Sequence, residues 1–324
     1  MNRRRLCLGA ATVALSLPLA GCMTVHGERA VIPSVRAADA ATVLAHFADV
    51  NNAASKAYDA RLIGGVETGA LAATDAAGLR AQHANHPAGN PAFSPLKFSD
   101  AKYVIPEQRG WPKFFVADTA TNRSSTARWL MVFRRDTAAA TWKAAFVAAV
   151  PTAQIPKFAT GKDGYAEPLP LAGTDLAVQP GQVASEYTDY LQKGLTGRQV
   201  FAAGPTTSGV RDSRKTTAHT ANSVTQYADQ PAEGPDYTPI ALRTDDGGAL
   251  VFFASHHQSR ATYRAGFKLN IDPNTKALMT GTPKTSVTLS HVAQQAVTVP
   301  PADAKPAQVV FLSRVVGLVS AKGA

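Results

Sequence analysis

Lys113–Arg135 reads KFFVADTATNRSSTARWLMVFRR. Its two ends are apolar and aromatic runs rich in strand formers, and TATNRSST between them carries the small polar residues of a turn. The stretch predicts a β-hairpin. Outward from it, LKFSDAKYVIP (96–106) and TWKAAFVAAVP (141–151) have the same texture, so the region reads as an antiparallel meander. Upstream the period changes. Val43, Leu44, Phe47, Val50, Ala54, Ala57 and Leu62 recur at helical spacing, which predicts a helix from Ala37 that Gly64-Gly65 ends. A second, weaker helix is expected over Ala70–Ala84, before His86-Pro87. Helices followed by a meander is the order of an α+β domain.

The order recurs. Pro151–Pro180 is rich in proline and glycine and reads as a linker. After it, GQVASEYTDYLQKG places Val183, Tyr187, Tyr190 and Leu191 on one helical face and stops at Gly194. Thr206–Glu233 has weak patterning and reads as a long loop with a short helix. PIALRT, ALVFFASHH, ATYRAGFKLNI, SVTLSHVAQQAVTVP and AQVVFLSRVVGLVSA then read as strands, with Asp245-Asp246-Gly247-Gly248 as a tight turn. KFFVADT, RWLMVFRR and TWKAAFVAAVP match PIALRTD, ALVFFASHH and TYRAGFKLNIDP in kind and order. The expected fold is therefore α+β, with two tandem domains of helix plus curved antiparallel sheet at 37–150 and 181–324, joined by a linker at 151–180. The chain of 324 residues, 45% hydrophobic and 17% charged, is long and apolar enough for both.

The first 36 residues are different. Arg3-Arg4-Arg5, an apolar run from Leu6 to Leu19 and the small residues Ala20-Gly21 are the three parts of an export signal. The apolar run is shorter than the ~20 residues a membrane-spanning helix needs. Leu19-Ala20-Gly21-Cys22 resembles the bacterial lipobox. That resemblance implies cleavage between Gly21 and Cys22 and a diacylglycerol on the Cys22 sulfur, making residues 1–21 the signal and 22–36 a tether. Two acyl chains hold a protein on a membrane where one is marginal. Arg3-Arg4-Arg5-Leu6 also loosely resembles a twin-arginine signal. Cys7 and Cys22 are the two cysteines of the chain, so a chain cleaved at Cys22 has no internal disulfide and no cysteine-rich metal site. Of the formal charge of +10, three charges are the leader arginines; the remaining excess attracts anionic surfaces weakly.

The lipobox, the Ala-rich first helix, RLIGGVETGALA (61–72), WPKFFVA (111–117) and TDDGGALVFF (244–253) together resemble a group of uncharacterised lipoproteins from actinobacteria. The resemblance covers most of the chain after the signal and brings no catalytic residues. The helix-then-curved-sheet order of each half also resembles the cystatin-like or nuclear-transport-factor-like α+β cone, a fold that hosts enzymes and binding modules alike.

Candidate chemistry is sparse. Ser99-Asp100-Ala101-Lys102 has the S-x-x-K spacing of penicillin-binding proteins, but Tyr103-Val104-Ile105 favours a strand, which points the two side chains apart. Lys284-Thr285-Ser286 lacks the glycine of the expected K-T-G partner. His83 and His86 share a helical face near its end, where solvation explains them as well as a metal does. His256 and His257 are adjacent on a strand, so at most one faces a given cavity. Asp59, Glu67 and Asp75 can supply carboxylates to a pocket if the fold brings them together, and Asp75 suits a capping position. Arg123, Arg128, Arg134 and Arg135 on one hairpin, and His257, Arg260 and Arg264 on the other, suggest either a basic face or charged sheet edges. Trp111, Phe114, Phe115, Trp129, Phe133, Trp142 and Phe146 read as core, with room for an apolar pocket between sheet and helix. No phosphate loop, dinucleotide fingerprint or G-x-S-x-G is present, so the sequence supports no catalytic residue, metal or cofactor. It points to a lipid-anchored protein on the outer face of the cell membrane, acting as a binding or interaction module for an envelope ligand or protein and not for nucleic acid. An envelope hydrolase with an unrecognised site is the alternative.

Overall fold

The computed structural model describes residues 30–194 and 199–324. In the first half, α1 (Ala37–Ala57), α2 (Ala60–Ile63) and α3 (Gly69–Asn85) precede four strands, β2 (Phe98–Val104), β4 (Lys113–Thr121), β5 (Ser124–Arg135) and β6 (Lys143–Pro151). These form an antiparallel sheet in that order. A separate two-stranded ribbon pairs β1 (Val31–Pro33) with β3 (Glu107–Arg109).

The second half repeats the plan. Helices α4 (Val183–Lys193) and α5 (Ser208–Thr217) precede β7 (Ser223–Pro231), β9 (Ala249–Tyr263), β11 (Ser286–Val299) and β12 (Val310–Gly323), again antiparallel and in consecutive order. The short β8 (Ile240–Arg243) makes a hairpin with the start of β9, and β10 (Met279–Thr280), after α6 (Pro273–Ala277), lies parallel to the end of β12. Both halves are thus helix-covered antiparallel sheets, as the α+β reading expects. No helix among the described residues is long and apolar enough to cross a membrane.

The two sheets pack face to face. Successive strand residues point to opposite faces, so Phe115, Ala117, Met131 and Phe133 meet α1 and α3, where Phe115 stacks on its cross-strand partner Phe133 at 5.0 Å. Phe114, Val116, Leu130 and Val132 meet Leu242, Leu250, Phe252 and Ala296 of the other sheet. On its far side the second sheet turns Val251, Phe253 and Val297 to Val183, Tyr187 and Leu191 of α4. The order of layers is helix, sheet, sheet, helix. Covering both faces explains why β4 and the first part of β9 are continuous buried runs and not alternating ones.

Three local expectations change. The first helix stops at Tyr58, which adopts φ 53°, and Asp59 then caps the one-turn α2 by accepting from the Arg61 amide at 3.0 Å. ALVFFASHH and ATY belong to one strand of 15 residues that ends at Tyr263, and RAGFKLNI is not a strand. SVTQYADQP, read as loop, is the edge strand β7; it buries little apolar surface, which hid its pattern. Residues 151–180 lie against both halves, through Phe158 with Thr244, Ala166 with Pro106, and Leu176 with Pro301.

Candidate functional site

Two clusters of buried polar side chains emerge. The first is built on β7 and β9. Ser255 and His257 are two apart on β9 and share a face, while Asp229 of β7 is the register partner of His257. Ser255 Oγ lies 2.8 Å from His257 Nε2, and His257 Nδ1 lies 2.6 Å from Asp229 Oδ1. Arg214 of α5 grips the Asp229 carboxylate with both terminal nitrogens, at 2.5 and 2.7 Å, and Gln192 of α4 donates to the Asp229 carbonyl. Gln295 Nε2 donates to Ser255 Oγ at 2.7 Å, leaving the serine proton for His257. Burial pushes His257 below its ordinary value, so the ring is neutral. Burial alone would raise Asp229, but Arg214 and His257 overturn this and hold it low.

This is the connectivity of a serine–histidine–acid triad. Ser255, however, is 0% exposed, and Tyr187 packs edge-on against His257 under α4. A nucleophile must reach its substrate; this one is closed off. The adjoining pocket of about 360 Å³ is bounded by Arg214 and Asp229, with neither Ser255 nor His257 in its wall.

The second cluster lies in the first half. Residues 66–68 strap onto β6, with the Ala144 amide donating to the Val66 carbonyl at 2.8 Å and the Thr68 amide donating to the Ala144 carbonyl at 2.9 Å. This turns Glu67 inward to 1% exposure. Neither Glu67 oxygen has a donor at hydrogen-bond geometry; Asn51 of α1 and the Asp75 carboxyl of α3 are the polar groups that act on it. Burial, then the charge of Asp75, pushes Glu67 up to about 9. Burial raises Asp75 to about 6, with Thr74 and Glu67 opposing. Two neighbouring carboxyls taken out of water do not both ionise readily. At neutral pH Glu67 holds its proton and Asp75 carries the charge.

Asp75 opens onto a pocket of about 340 Å³ between helices and sheet. Phe47, Asn51 and Ser55 of α1, Leu71 of α3, Trp129 and Met131 of β5, and Val147 and Ala149 of β6 form most of its wall, with Arg123 at one side. Gln294 of β11 completes it. Its Oε1 accepts from the Val147 amide at 2.7 Å, while its buried Nε2 has no partner. A mostly apolar wall with a few convergent polar groups is the ordinary make-up of a ligand pocket.

The fold therefore joins two of the three carboxylates singled out from sequence. Asp59 instead sits on the surface, 2.8 Å from Arg61. Asp75 lies inside α3 and caps nothing. Ser99 and Lys102 flank a bulge in β2, both exposed. His83 and His86 end α3 in solvent, with His86 beside Tyr58. His256 turns away from His257 to pack on Tyr237. Arg128 is drawn inward by Asp118 and Asp100, at 2.5 and 2.8 Å, and Arg134 is buried beside Asp136, so these two do not add to a basic face on the first hairpin. Gly21 and Cys22 lie outside the described residues. Asn51, Gln294, Asp229, Ser255 and Gln295 carried no motif; the one available signal was Ser255-x-His257 on a strand.

Fold and pocket together define a two-sheet α+β protein with a carboxyl-bearing cleft under its helices. Residues 31–323 match a family described as a domain of unknown function, DUF8094. The chain is 46% identical to an uncharacterized lipoprotein of Streptomyces avermitilis over 323 residues, 99% of this chain and 96% of that protein. It is also 46% identical to an uncharacterized lipoprotein of Streptomyces coelicolor over 317 residues, 98% and 94% of the two chains. The chain belongs to this actinobacterial lipoprotein family. No solved structure matches it.

Proposed function

We propose that the protein is a lipid-anchored binding module displayed on the outer face of the cell membrane, and that it takes its ligand in the pocket under α1 and α3. Cys22 carries the anchor after cleavage behind Gly21, residues 22–36 are the tether, its last part docked on the first half through β1, and 37–150 and 181–324 form two helix-plus-sheet domains. The lipoprotein relatives support the anchor. The observation that carries the binding reading is the pocket wall itself, where the Gln294 Nε2 is buried with no hydrogen-bond partner among the described residues. Such a group costs about 1–3 kcal/mol when left unmet, and a ligand that meets it recovers that energy.

N-phenyl-1-naphthylamine, a neutral fluorescent probe, tests the pocket. The protein without its signal is expected to bind it saturably, and Ala149→Trp, which fills the pocket, is expected to abolish binding while the melting temperature is kept. Binding unchanged in Ala149→Trp contradicts the reading. Release of the protein from membranes by Cys22→Ala, with loss of the acyl mass at the mature N-terminus, is the expected result for the anchor.

An envelope hydrolase is the second reading, favoured by the Ser255–His257–Asp229 connectivity. A fluorophosphonate label on Ser255 would support it. No label is expected, because Ser255 has no exposed surface.

A further inference from the structure

We propose that the ligand of the helix–sheet pocket is a monovalent organic ammonium on an apolar body, its cation held by Asp75 and an acceptor atom of its body by Gln294. This rests on the binding reading above and names the chemistry of the same site.

Among the described residues, other carboxylates drawn toward the interior have a cation. Asp229 has a two-pronged arginine, Arg214. Asp118 has Arg128 at 2.5 Å. Among the described residues the Glu67–Asp75 pair has no cation: the groups that act on the two are Asn51, Thr74 and each other. Each element packed around the pocket repeats this. Helix α1 contributes Asn51 and Ser55, the sheet contributes Trp129 and aliphatic side chains, and β11 contributes Gln294. Arg123 is exposed, and its Nη2 donates to the Ser94 carbonyl.

A carboxylate in an apolar cleft attracts a cation strongly because little water screens it. Asp75 is the one carboxyl in the pocket wall among the described residues, so a single negative charge faces the ligand and sets the ligand charge at plus one. Trp129 and Phe47 add aromatic surface suited to an ammonium group and to an apolar body. The free Gln294 Nε2 is a donor, independent of the carboxyls, and it calls for an acceptor such as a hydroxyl. An amino alcohol with an aryl group has all three features.

The test is a matched pair. Phenylalaninol carries an ammonium, a hydroxyl and a phenyl ring; 3-phenyl-1-propanol is the same molecule without the ammonium. Calorimetry of the protein without its signal at pH 7.5 is expected to show phenylalaninol binding at least about tenfold tighter, a difference of ~1.4 kcal/mol. The preference is expected to vanish at pH 5, where Asp75 gains a proton, and in Asp75→Asn, with 3-phenyl-1-propanol unaffected by the substitution. Glu67→Gln, which keeps the Asp75 charge, is expected to keep the preference, and guards against a folding failure in Asp75→Asn. Equal affinity for the two alcohols overturns the ammonium proposal and leaves the pocket reading intact. Binding of the naphthylamine probe but of neither alcohol also overturns it. Failure of all three compounds overturns the pocket reading itself.

Discussion

The two halves of the molecule each bury a polar cluster, and they differ in who supplies the partners. Around Asp229 the chain supplies them: Arg214, His257, Gln192 and, through Ser255, Gln295. Around Glu67 it supplies little beyond a second carboxyl. The first cluster has the connectivity of a hydrolytic enzyme and no opening at its serine. The second matches no motif and adjoins a pocket of about 340 Å³. The contrast teaches that a ligand site is marked by access together with unmet hydrogen-bonding capacity, and less by residue types in a familiar order.

Substitutions can break this comparison at its strongest point first. Arg214→Ala leaves Asp229 charged, buried and half-partnered, and is expected to cost about 3–5 kcal/mol in urea unfolding, as removal of one member of a buried pair does. A cost below about 1 kcal/mol, the value of an exposed pair, would mean that the network is looser than its geometry implies.

The Glu67 pair should respond with the opposite sign. The folded-state value of Glu67 lies above its unfolded value, so its contribution to stability is full below about pH 4.5 and is lost as pH rises toward about 9. Glu67→Gln removes that loss. At pH 8 it is expected to stabilise the protein by about 2 kcal/mol and to flatten the fall in melting temperature above pH 5, since a tenfold change in proton affinity between the folded and unfolded chain corresponds to ~1.4 kcal/mol. Destabilisation at pH 8 would show that the chain compensates the carboxyl after all.

A smaller effect is expected where α3, which carries Asp75, lies on β12. A Cβ on Gly317 would come within 2.8 Å of the Thr74 side chain. Gly317→Ala is expected to cost about 1–3 kcal/mol through overpacking and to weaken probe binding, because it lifts the pocket's own helix. The smallest effect is expected at the triad-like serine. Ser255→Ala removes one neutral hydrogen-bonding group, at about 1 kcal/mol, and leaves probe binding unchanged.

Much of the fold was legible because both sheets are rich in strand formers and the helices keep their period. The hairpin over Lys113–Arg135 and the Asp245–Gly248 turn could be read locally: Asp246 Oδ1 accepts from the Gly248 amide at 3.0 Å, and Gly247 takes φ 82°. The break at Tyr58 was hidden because the helical period continues to Leu62. β7 was hidden because an edge strand with one wet face needs few apolar residues. The face-to-face packing of the sheets left a trace, in runs such as ALVFFA that are apolar on both faces, but a run does not say what covers it. The site was half visible. Glu67 and Asp75 could be named, but their meeting depends on the strap of residues 66–68 onto β6, far along the chain. Gln294 arrives from the other half of the chain.

The central claim is that Glu67 stays protonated behind the charged Asp75 of an open pocket, and carbon-13 NMR of carboxyl-labelled glutamate tests it most directly. The Glu67 resonance is expected to stay in its protonated position through pH 7, to titrate toward about 9, and to move when phenylalaninol is added. A Glu67 resonance that titrates at its ordinary value near 4.5 and ignores the ammonium compound would contradict the account.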